Sequence, residues 1–244
     1  MRLRSSLIKV SDLVACDRDA MFGLMQRAYA NIQRKQFEAD LAAKEWVVQV
    51  HDPLSERLAG FSTQTLLQAE VDGKLVRALF SGDTVVDPQH WGDIALAHEW
   101  GRLAVSLIES HAEQPLYWFL TSKGFRTYKY LPLFFREWFP SADAPTPSRE
   151  RAVIDALARE VAPLGYDANT QLIRAMPDKE YVRATLADPG HRAQSDRHVR
   201  YFIARNPGYQ RGDELCCVAP LSKANFTAAA LRVIYPAASV PLAG

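Results

Sequence analysis

Two long strand-like runs joined by a two-residue turn constrain the fold of this chain most strongly. Residues 57–71 and 74–86 are rich in β-branched and aromatic side chains, and Asp72 and Gly73 lie between them. Because an Asp-Gly pair readily adopts the left-handed backbone of a two-residue hairpin turn, the two runs are predicted to pair as antiparallel strands. Residues 45–51 (EWVVQVH) form a third strand-like run just before them. The three runs together predict an antiparallel meander.

Shorter elements are predicted before this meander. Residues 3–10 predict a short strand, residues 17–30 predict a helix capped by Asp17, and residues 37–44 predict a second, short helix. The first part of the chain therefore predicts a strand, two helices and three antiparallel strands, in that order.

A long helix and a buried strand are predicted after the meander. Residues 92–111 carry apolar side chains at helical spacing over a broad surface, which is typical of a helix packed on a sheet. Residues 116–121 (LYWFLT) predict a buried strand, and residues 123–139 predict partly helical structure that Pro132 interrupts. This alternation of elements is typical of an α+β (α/β-like) fold.

A short segment rich in proline and small polar residues, residues 141–147 (SADAPTP), is predicted to be a linker. It divides the chain into a core at residues 1–140 and an α/β extension at residues 141–244, which is predicted to pack on the core or complete it. The extension's patterns predict one helix bearing an apolar face (Val153, Ile154, Leu157 and Val161), irregular structure at 165–190, a helix at 195–205, a buried strand at 214–219 and a last helix at 225–234.

The composition limits which classes of protein remain. Of the 244 residues, 48% are hydrophobic and five are Trp, so the chain can bury a large core. No apolar run approaches the roughly 20 residues that a bilayer span needs, and the first residues lack the apolar core of a signal peptide. With 29 basic and 28 acidic residues the net charge is +1, so any contact with nucleic acid has to come from local patches.

The cysteines and histidines follow no disulfide or metal-binding pattern. Cys16 stands alone, and Cys216 and Cys217 are adjacent, which favours neither a disulfide scaffold nor a zinc site. His98 lacks the second His of a zinc-binding helix, and no phosphate loop or dinucleotide-binding glycine motif is present. These observations predict a cytoplasmic protein with no metal site, no membrane association and no DNA partner.

Residues 85–94 (VVDPQHWGDI) connect the third meander strand to the long helix. With the order of elements around it, this loop resembles that of the Gcn5-related N-acetyltransferase (GNAT) superfamily, in which a Gln/Arg-x-x-Gly-x-Gly/Ala loop opens the central helix. Gln89 and Gly92 match that pattern, whereas Ile94 does not. The resemblance covers residues 1–140 and implies a mostly antiparallel central sheet flanked by helices, with Gln89 and Gly92 in contact with the acyl donor.

The chemistry of this loop departs from the family pattern. Backbone N–H groups at a helix N-terminus bind a pyrophosphate where small residues let it approach. The branched Ile94 and the carboxylate of Asp93 both oppose that approach. Alternatively, residues 89–92 are ordinary connecting sequence between a strand and a helix.

A glycine inside the third meander strand, in Ser81-Gly82-Asp83-Thr84, predicts a β-bulge or a close backbone approach. The resemblance implies that such a bulge splays the sheet and presents a backbone N–H to the acyl carbonyl, which places Ser81, Gly82 and Thr84 beside the donor. The carboxylate of Asp83 is then placed to accept a proton from the attacking ammonium or to bind it. The alternative is that Asp83 caps a local kink.

The stretch after the buried strand, residues 121–130 (TSKGFRTYKY), supplies further candidates. The resemblance implies a tyrosine here as the general acid for the leaving group, and Tyr128 is preferred to Tyr130 because Tyr130 directly precedes an apolar run. Ser122 is a second candidate for that step. Three neighbouring side chains are predicted to bind the donor: Lys123, Phe125 and Arg126. Each tyrosine is equally compatible with an amphipathic position in the core.

Two segments concentrate positive charge among aromatic side chains. Residues 122–137 hold four basic residues against one acidic residue, and residues 189–212 hold five against one. Both segments offer phosphate contacts and base stacking, whereas a solvated basic face is the alternative. The residues predicted to contact RNA phosphates in the second segment are Arg192, Arg197, Arg200 and Arg205.

Three functions remain open at this stage. The altered loop and the basic segments favour an N-acyltransferase that moves an aminoacyl group from an aminoacyl-tRNA to a small-molecule amine in a biosynthetic reaction. The first alternative is an acyl-CoA-dependent N-acyltransferase, and the second is a catalytically inactive module that binds RNA or protein. In the two enzymatic cases the acyl donor is a co-substrate, and no tightly bound cofactor is predicted.

Overall fold

The computed structural model of the protein describes residues 2–111 and 113–236. In these ranges the strands are β1 (Arg4–Lys9), β2 (Tyr29–Ala30), β3 (Trp46–His51), β4 (Leu58–Val71), β5 (Lys74–Val86), β6 (Leu116–Ser122), β7 (Tyr166–Asp167), β8 (Leu172–Ile173), β9 (Tyr181–Val182) and β10 (Glu214–Pro220). The α-helices are α1 (Ala15–Ala28), α2 (Arg34–Ala42), α3 (Ala95–Ser110), α4 (Phe125–Tyr128), α5 (Tyr130–Phe134), α6 (Ser148–Val161), α7 (Ala184–Ala187), α8 (Arg192–Ser195), α9 (Arg197–Arg205) and α10 (Ala228–Ile234).

One mixed sheet of eight strands organises the molecule. Its strand order is β1-β3-β4-β5-β6-β10-β8-β7, and β2 pairs separately with β9. Within the eight-stranded sheet, β5 and β6 run parallel to each other, whereas every other neighbouring pair is antiparallel. A mostly antiparallel sheet flanked by helices confirms the predicted α+β fold class.

The predicted hairpin is present at the centre of the sheet. Asp72 and Gly73 both have left-handed backbones, with φ values of 51° and 70°. Val71 pairs directly with Lys74 across this turn, and the pairing of β4 with β5 continues from there. Left-handed conformations at both central positions match the right-handed twist of the two strands, which explains why this pair of residues sets their register.

Helices cover both faces of the sheet. On one face, Trp100 and Leu103 of α3 pack with Trp118 of β6 in the largest cluster of buried side chains, to which α10 also contributes. On the other face, α6 buries Ile154 and Leu157 against neighbouring strands. Successive side chains of a strand point to opposite faces, so β6 supplies apolar side chains to both layers.

The C-terminal part of the chain contributes directly to this sheet. Strand β10 pairs with β6 along its whole length, from Leu215 opposite Ser122 to Pro220 opposite Tyr117. The segment at 141–147 leads directly into α6, whose apolar side packs on the sheet. The division into a core at 1–140 and an extension at 141–244 stays a prediction, and its last eight residues lie outside the described ranges.

Several helix boundaries differ from the sequence predictions for local reasons. Asp17 is not the N-cap of α1, because the helix begins at Ala15 and the Asp17 carboxylate accepts a hydrogen bond from the Val14 N–H at 3.3 Å. Pro132 lies inside the first turn of α5, where a missing N–H costs no helical hydrogen bond. Asp196 divides the predicted helix at 195–205, since its carboxylate accepts hydrogen bonds from the first turn of α9.

Candidate active site

A β-bulge lies where the sequence predicts it. Ser62 of β4 pairs with Thr84 of β5 and Gln64 pairs with Ser81, so Gly82 and Asp83 together oppose the single residue between them on β4. A bulge of this kind leaves one residue out of the hydrogen-bond ladder and bends the strand. A β-carbon at Gly82 would lie 2.7 Å from Thr63 Oγ1 and 2.8 Å from Lys44 Cε, so any larger residue here would force these two side chains to move.

The sheet opens immediately after this bulge. The parallel pairing of β5 with β6 ends at Ser81 and Leu120, although both strands continue beyond these residues. A cavity of about 550 Å³ lies between the diverging strands, with residues 82–86 on one side and residues 123–127 on the other. This volume is in the range of small-molecule sites.

Asp83 lies on the wall of this cavity. Burial raises the pKa of its carboxyl, while the charge of Lys123 acts in the opposite direction. Over residues 2–111 and 113–236, the Asp83 carboxylate takes part in no ion pair and accepts no hydrogen bond. An unpaired and half-buried carboxylate is costly in free energy, and groups of this kind are concentrated at functional sites.

Four other charged groups lie near Asp83, at the inner end of the cavity, and form a paired cluster. Lys123 forms an ion pair with Glu180 and lies 3.5 Å from Glu214, and Lys179 lies 3.5 and 3.6 Å from the same two carboxylates. Burial, the largest single influence, raises the pKa values of Glu180 and Glu214, but the charges of Lys123 and Lys179 together with hydrogen bonds outweigh it and hold both values below the usual range. Burial would likewise lower the pKa of Lys123, yet the two carboxylates keep it well above its usual value.

These contacts bear on the predicted role of Lys123 in binding the donor. The side chain of Lys123 lines the cavity but is 11% exposed, and its charge is already balanced by two carboxylates from the C-terminal part of the chain. The donor contact of Lys123 stays a prediction, and its charge is not free for a phosphate. Sequence reasoning missed Glu180 and Glu214, because no local pattern reveals that a carboxylate far along the chain meets a particular lysine.

Tyr29 and Lys44 also line the inner end and were not predicted. Lys123 Nζ lies 5.6 Å from the centre of the Tyr29 ring, and burial raises the pKa of the Tyr29 hydroxyl. Lys44 donates a hydrogen bond to the carbonyl oxygen of Asp40 at 2.9 Å, and burial lowers the pKa of its ammonium group. Both residues lie just after the observed ends of α1 and α2 but inside the helices that the sequence predicts, so no local pattern marked them as cavity residues.

The structure contradicts two predicted catalytic roles. Tyr128 is fully buried, and its hydroxyl donates a hydrogen bond to the carbonyl oxygen of Pro140 at 2.9 Å. Ser122 is also fully buried and donates to the carbonyl oxygen of Gly124 at 2.8 Å. Neither side chain lines the cavity, whereas the rejected alternative, Tyr130, does. Burial raises the pKa of the Tyr130 hydroxyl, which keeps it protonated at neutral pH.

Of the three donor contacts predicted on β5, two lie at the cavity and one does not. Gly82 and Thr84 line the cavity. Ser81 instead lies buried in the sheet, where its hydroxyl donates to Gln64 Oε1 at 2.6 Å and accepts from Trp118 Nε1 at 2.8 Å. This placement contradicts the donor contact predicted for the Ser81 side chain, because both hydrogen bonds are made within the protein.

The N-terminus of α3 is closed by a carboxylate of the chain itself. Asp93 Oδ1 accepts a hydrogen bond from the Ala95 N–H at 2.7 Å, and Asp93 Oδ2 accepts one from the Leu3 N–H at 3.1 Å. Gly92 lines the cavity with a left-handed backbone, φ 97°. Gln89 is exposed and does not line the cavity, which contradicts its predicted donor contact.

A different set of side chains lines the outer end of the cavity. The Arg126 guanidinium lies 4.3 Å from the centre of the Trp91 ring and 4.6 Å from that of Phe125, and it donates a hydrogen bond to the carbonyl oxygen of Leu186. Arg192 lines the same end and is exposed. The structure therefore brings Phe125, Arg126 and Arg192 together at one place.

The other three arginines predicted to bind RNA do not line this cavity. Arg197 forms an ion pair with Asp143, and Arg200 donates to the carbonyl oxygen of Gln194. Arg205 is half-buried and donates to the Thr170 carbonyl oxygen at 3.2 Å and to Gln171 Oε1 at 3.3 Å. These contacts contradict an RNA-phosphate role for Arg205, because its guanidinium holds the turn before β8.

The described residues hold no group of His, Cys, Asp and Glu side chains that could bind a metal ion. Cys16, Cys216 and Cys217 are all free thiols. Within the same residues, no helix is both long enough and apolar enough to span a bilayer.

Solved structures with a similar arrangement were found, whereas no protein-family model and no curated protein sequence match the chain. A conserved Enterococcus faecalis protein described as a probable N-acyltransferase has a TM-score of 0.40 and 15% identity over 55% of this chain and 33% of its own. This chain thus spans one third of that protein. A GNAT-family N-acetyltransferase from Escherichia coli, solved with CoA, has a TM-score of 0.38 and 14% identity over 55% of this chain and 70% of its own. Glucosamine-6-phosphate N-acetyltransferase from Arabidopsis thaliana has a TM-score of 0.39 and 12% identity over 61% of this chain and 97% of its own.

The fold itself carries the features implied by the sequence resemblance. A strand and two helices precede three antiparallel strands, a long helix follows, and the next strand lies parallel to the last strand of the meander. The bulge in β5 and the opening between β5 and β6 lie where that resemblance places them. The chain therefore has an α+β fold whose order of elements, bulge and opening agree with what the sequence resemblance implies.

Proposed function

We propose that this protein is an N-acyltransferase that uses acyl-CoA as donor and a small-molecule amine as acceptor. The observation that carries the proposal is the carboxylate of Asp83, which has no ion-pair or hydrogen-bond partner among the described residues and lies at a β-bulge on the wall of the cavity between β5 and β6. A raised pKa suits a carboxylate that removes a proton from an ammonium group.

The reaction is a direct attack without a covalent enzyme intermediate. Asp83 accepts a proton from the acceptor ammonium, and the neutral amine forms an N–C bond with the carbonyl carbon of the thioester. The bulge at Gly82 and Asp83 leaves a backbone N–H out of the ladder, and such a donor stabilises the oxyanion of the tetrahedral intermediate. The C–S bond then breaks as the nitrogen loses its second proton to become an amide, and this proton reaches the thiolate either through the Tyr130 hydroxyl, which donates its own proton and takes up the one from nitrogen, or through water.

The donor follows from the demands of the leaving group and from the basic residues. A thiolate leaves readily, whereas a ribose hydroxyl requires protonation, and the tyrosine and serine predicted for that step are buried away from the cavity. Lys123 and Arg205, two of the basic residues in the RNA hypothesis, are engaged within the protein. Both observations favour acyl-CoA over aminoacyl-tRNA.

Aminoacyl-tRNA remains a second candidate because of one observation. Asp93 closes the α3 N-terminus, where the family pattern predicts the pyrophosphate of CoA. An inactive binding module is disfavoured, since an unpaired, half-buried carboxylate such as Asp83 costs folding free energy that a module without chemistry has no reason to retain.

The test is a comparison of the two donors. The purified protein is incubated with acetyl-CoA and a panel of primary amines while free thiol is measured, and in parallel with charged tRNA while the loss of esterified amino acid is measured. We expect amine-dependent release of thiol that is absent in Asp83→Asn. Consumption of aminoacyl-tRNA alone would support the second candidate, aminoacyl-tRNA as donor. No turnover with either donor would support the inactive binding module.

A further inference from the structure

Arg126 is held rigidly across the outer end of the cavity. Its guanidinium packs against the rings of Trp91 and Phe125, and it donates to the carbonyl oxygen of Leu186 on α7. Trp91 is fixed in turn, because its indole N–H donates to the Val86 carbonyl oxygen of β5 at 3.0 Å. The position of Arg126 is therefore set by three separate segments of the chain.

Arg126 shares this end of the cavity with Arg192, and neither charge is neutralised nearby. In the described part of the chain, neither guanidinium forms an ion pair with a carboxylate. Burial, followed by the positive charge of Arg192, lowers the pKa of Arg126. Two like charges that line one cavity without a counterion repel each other, and a bound anion would relieve this repulsion.

The α3 N-terminus close by does not offer a comparable anion site. The Asp93 carboxylate already accepts the hydrogen bond from the Ala95 N–H, so a phosphate there would meet a negative charge. The two candidate anion sites thus differ in sign: the α3 N-terminus carries a carboxylate, whereas Arg126 and Arg192 carry two positive charges in the lining of the same cavity.

We propose that Arg126 and Arg192 bind a phosphate group of the acyl donor, and that this pair replaces the N-terminus of α3 as the phosphate site. Arginine suits this role, because its planar guanidinium forms charge-assisted hydrogen bonds with phosphate oxygens. Trp91 acts as a positioning residue that holds Arg126 in place. The inference rests on the proposed function in one respect: the donor carries phosphate.

The phosphate can belong to CoA or to the backbone of a tRNA, and binding measurements separate the two. Calorimetric titrations use CoA, phosphate-free pantetheine and uncharged tRNA as probes, with wild type and the double variant Arg126→Gln/Arg192→Gln. A matched control, Arg149→Gln/Arg232→Gln, removes two positive charges outside the cavity. Each variant is checked for folding by its melting temperature.

We expect CoA to bind wild type more tightly than pantetheine, and the dissociation constant for CoA to rise about 10-fold for each cavity arginine removed. The double variant should bind pantetheine about as tightly as wild type does. The control variant and Asp93→Asn should show no comparable loss of CoA affinity. The dependence of CoA binding on salt should also become weaker in the double variant, because fewer phosphate charges are neutralised.

Unchanged CoA and tRNA affinity in the double variant would overturn the site, and so would tighter CoA binding in Asp93→Asn alone, which would place the phosphate at the α3 N-terminus. Arginine-dependent binding of tRNA without binding of CoA would support the site and overturn acyl-CoA as the donor. Wild type that binds no phosphate-bearing probe would overturn the site as well. Turnover of S-acetylpantetheine with an amine reports acyl transfer without phosphate, so failure of the site and failure of the proposed function are distinguishable.

Discussion

The charged side chains at the two ends of the cavity differ in whether they have partners of opposite charge. At the inner end, Lys123 and Lys179 share the carboxylates of Glu180 and Glu214, and each charge has a partner. At the outer end, Arg126 and Arg192 line the cavity without a carboxylate partner in the described ranges. A balanced cluster stabilises the protein's own structure, whereas an unbalanced pair is available to a ligand.

Asp83 also lies at the inner end, but its carboxylate belongs to no ion pair among the described residues. This difference separates a side chain available for catalysis from the paired cluster that supports the structure. Asp83 lies within the influence of Lys123 and Lys44 without forming an ion pair with either. Both lysines are engaged elsewhere, Lys123 with its two carboxylates and Lys44 with a backbone carbonyl. The carboxylate is therefore left for the acceptor amine.

The largest effect is expected from Asp83→Asn. If Asp83 is the general base, this change should lower kcat/KM by about 10²–10⁴-fold, because an amide cannot accept the proton. The melting temperature should stay the same or rise, since a carboxylate without a partner is removed from a half-buried position. Steady-state kinetics and thermal unfolding measure the two quantities. Asp178→Asn, at an exposed position outside the cavity, is the matched control, and equal losses of activity in both variants would remove Asp83 from the mechanism.

The balanced cluster is tested by Lys123→Met. Removal of this ammonium leaves the negative charges of Glu180 and Glu214 close together with only Lys179 to balance them. We therefore expect the free energy of unfolding to fall by about 3 kcal/mol. Lys179→Met should cost less, because Lys179 is more exposed and lies at 3.5 and 3.6 Å from the same carboxylates. Denaturant unfolding at pH 7 measures both. Equal stability of wild type and Lys123→Met would mean that the inner cluster does not support the fold.

Acidification should act on the two kinds of carboxyl with opposite signs. The pKa values of Glu180 and Glu214 are lowered in the folded protein, so their contribution to stability is present above the usual glutamate pKa and is lost as the pH falls through the folded values. The pKa of Asp83 is raised, so its ionisation reduces stability as the pH rises from the usual aspartate value through the folded value. Activity needs the ionised form and should fall on acidification through that raised pKa.

Measurements of unfolding free energy against pH separate these contributions. Wild type minus Asp83→Asn isolates Asp83, and the difference should become more unfavourable to wild type as the pH rises through the raised pKa. Wild type minus Lys123→Met isolates the inner cluster. A pH profile of kcat/KM whose acidic limb lies at the ordinary aspartate pKa would contradict the environment described for Asp83.

The sequence predicts those features that neighbouring residues determine. The hairpin at Asp72 and Gly73 follows from the backbone preferences of two residues, and the bulge at Gly82 follows from one glycine within a strand. The meeting of Lys123 with Glu180 and Glu214 depends on how β9 and β10 reach the cavity, which no local pattern encodes.

The two tyrosines after β6, at the end of α4 and the start of α5, show the same limit. Tyr128 and Tyr130 are separated by one residue and have similar sequence contexts. Packing against Tyr201 and Phe202 of α9 turns Tyr128 into the core, and Tyr130 faces the cavity instead. The choice between them depends on a helix about 70 residues later, so a preference based on the following apolar run selected the tyrosine that the structure places in the core.

The smallest effects are expected from substitutions of these two tyrosines. The substitutions test which side chain faces the cavity and which one lies in the core. Tyr130→Phe removes a hydroxyl from the cavity and should lower kcat by at most about 100-fold, because a thiolate needs little help from an acid. Tyr128→Phe removes a buried hydrogen bond to the Pro140 carbonyl oxygen and should cost about 1 kcal/mol of unfolding free energy with kcat unchanged. Parallel measurements of kcat and of denaturant unfolding on both variants test the assignment. A loss of kcat in Tyr128→Phe together with full activity in Tyr130→Phe would restore the role that the sequence gives to Tyr128, and would require the cavity to extend to a residue that the structure places in the core.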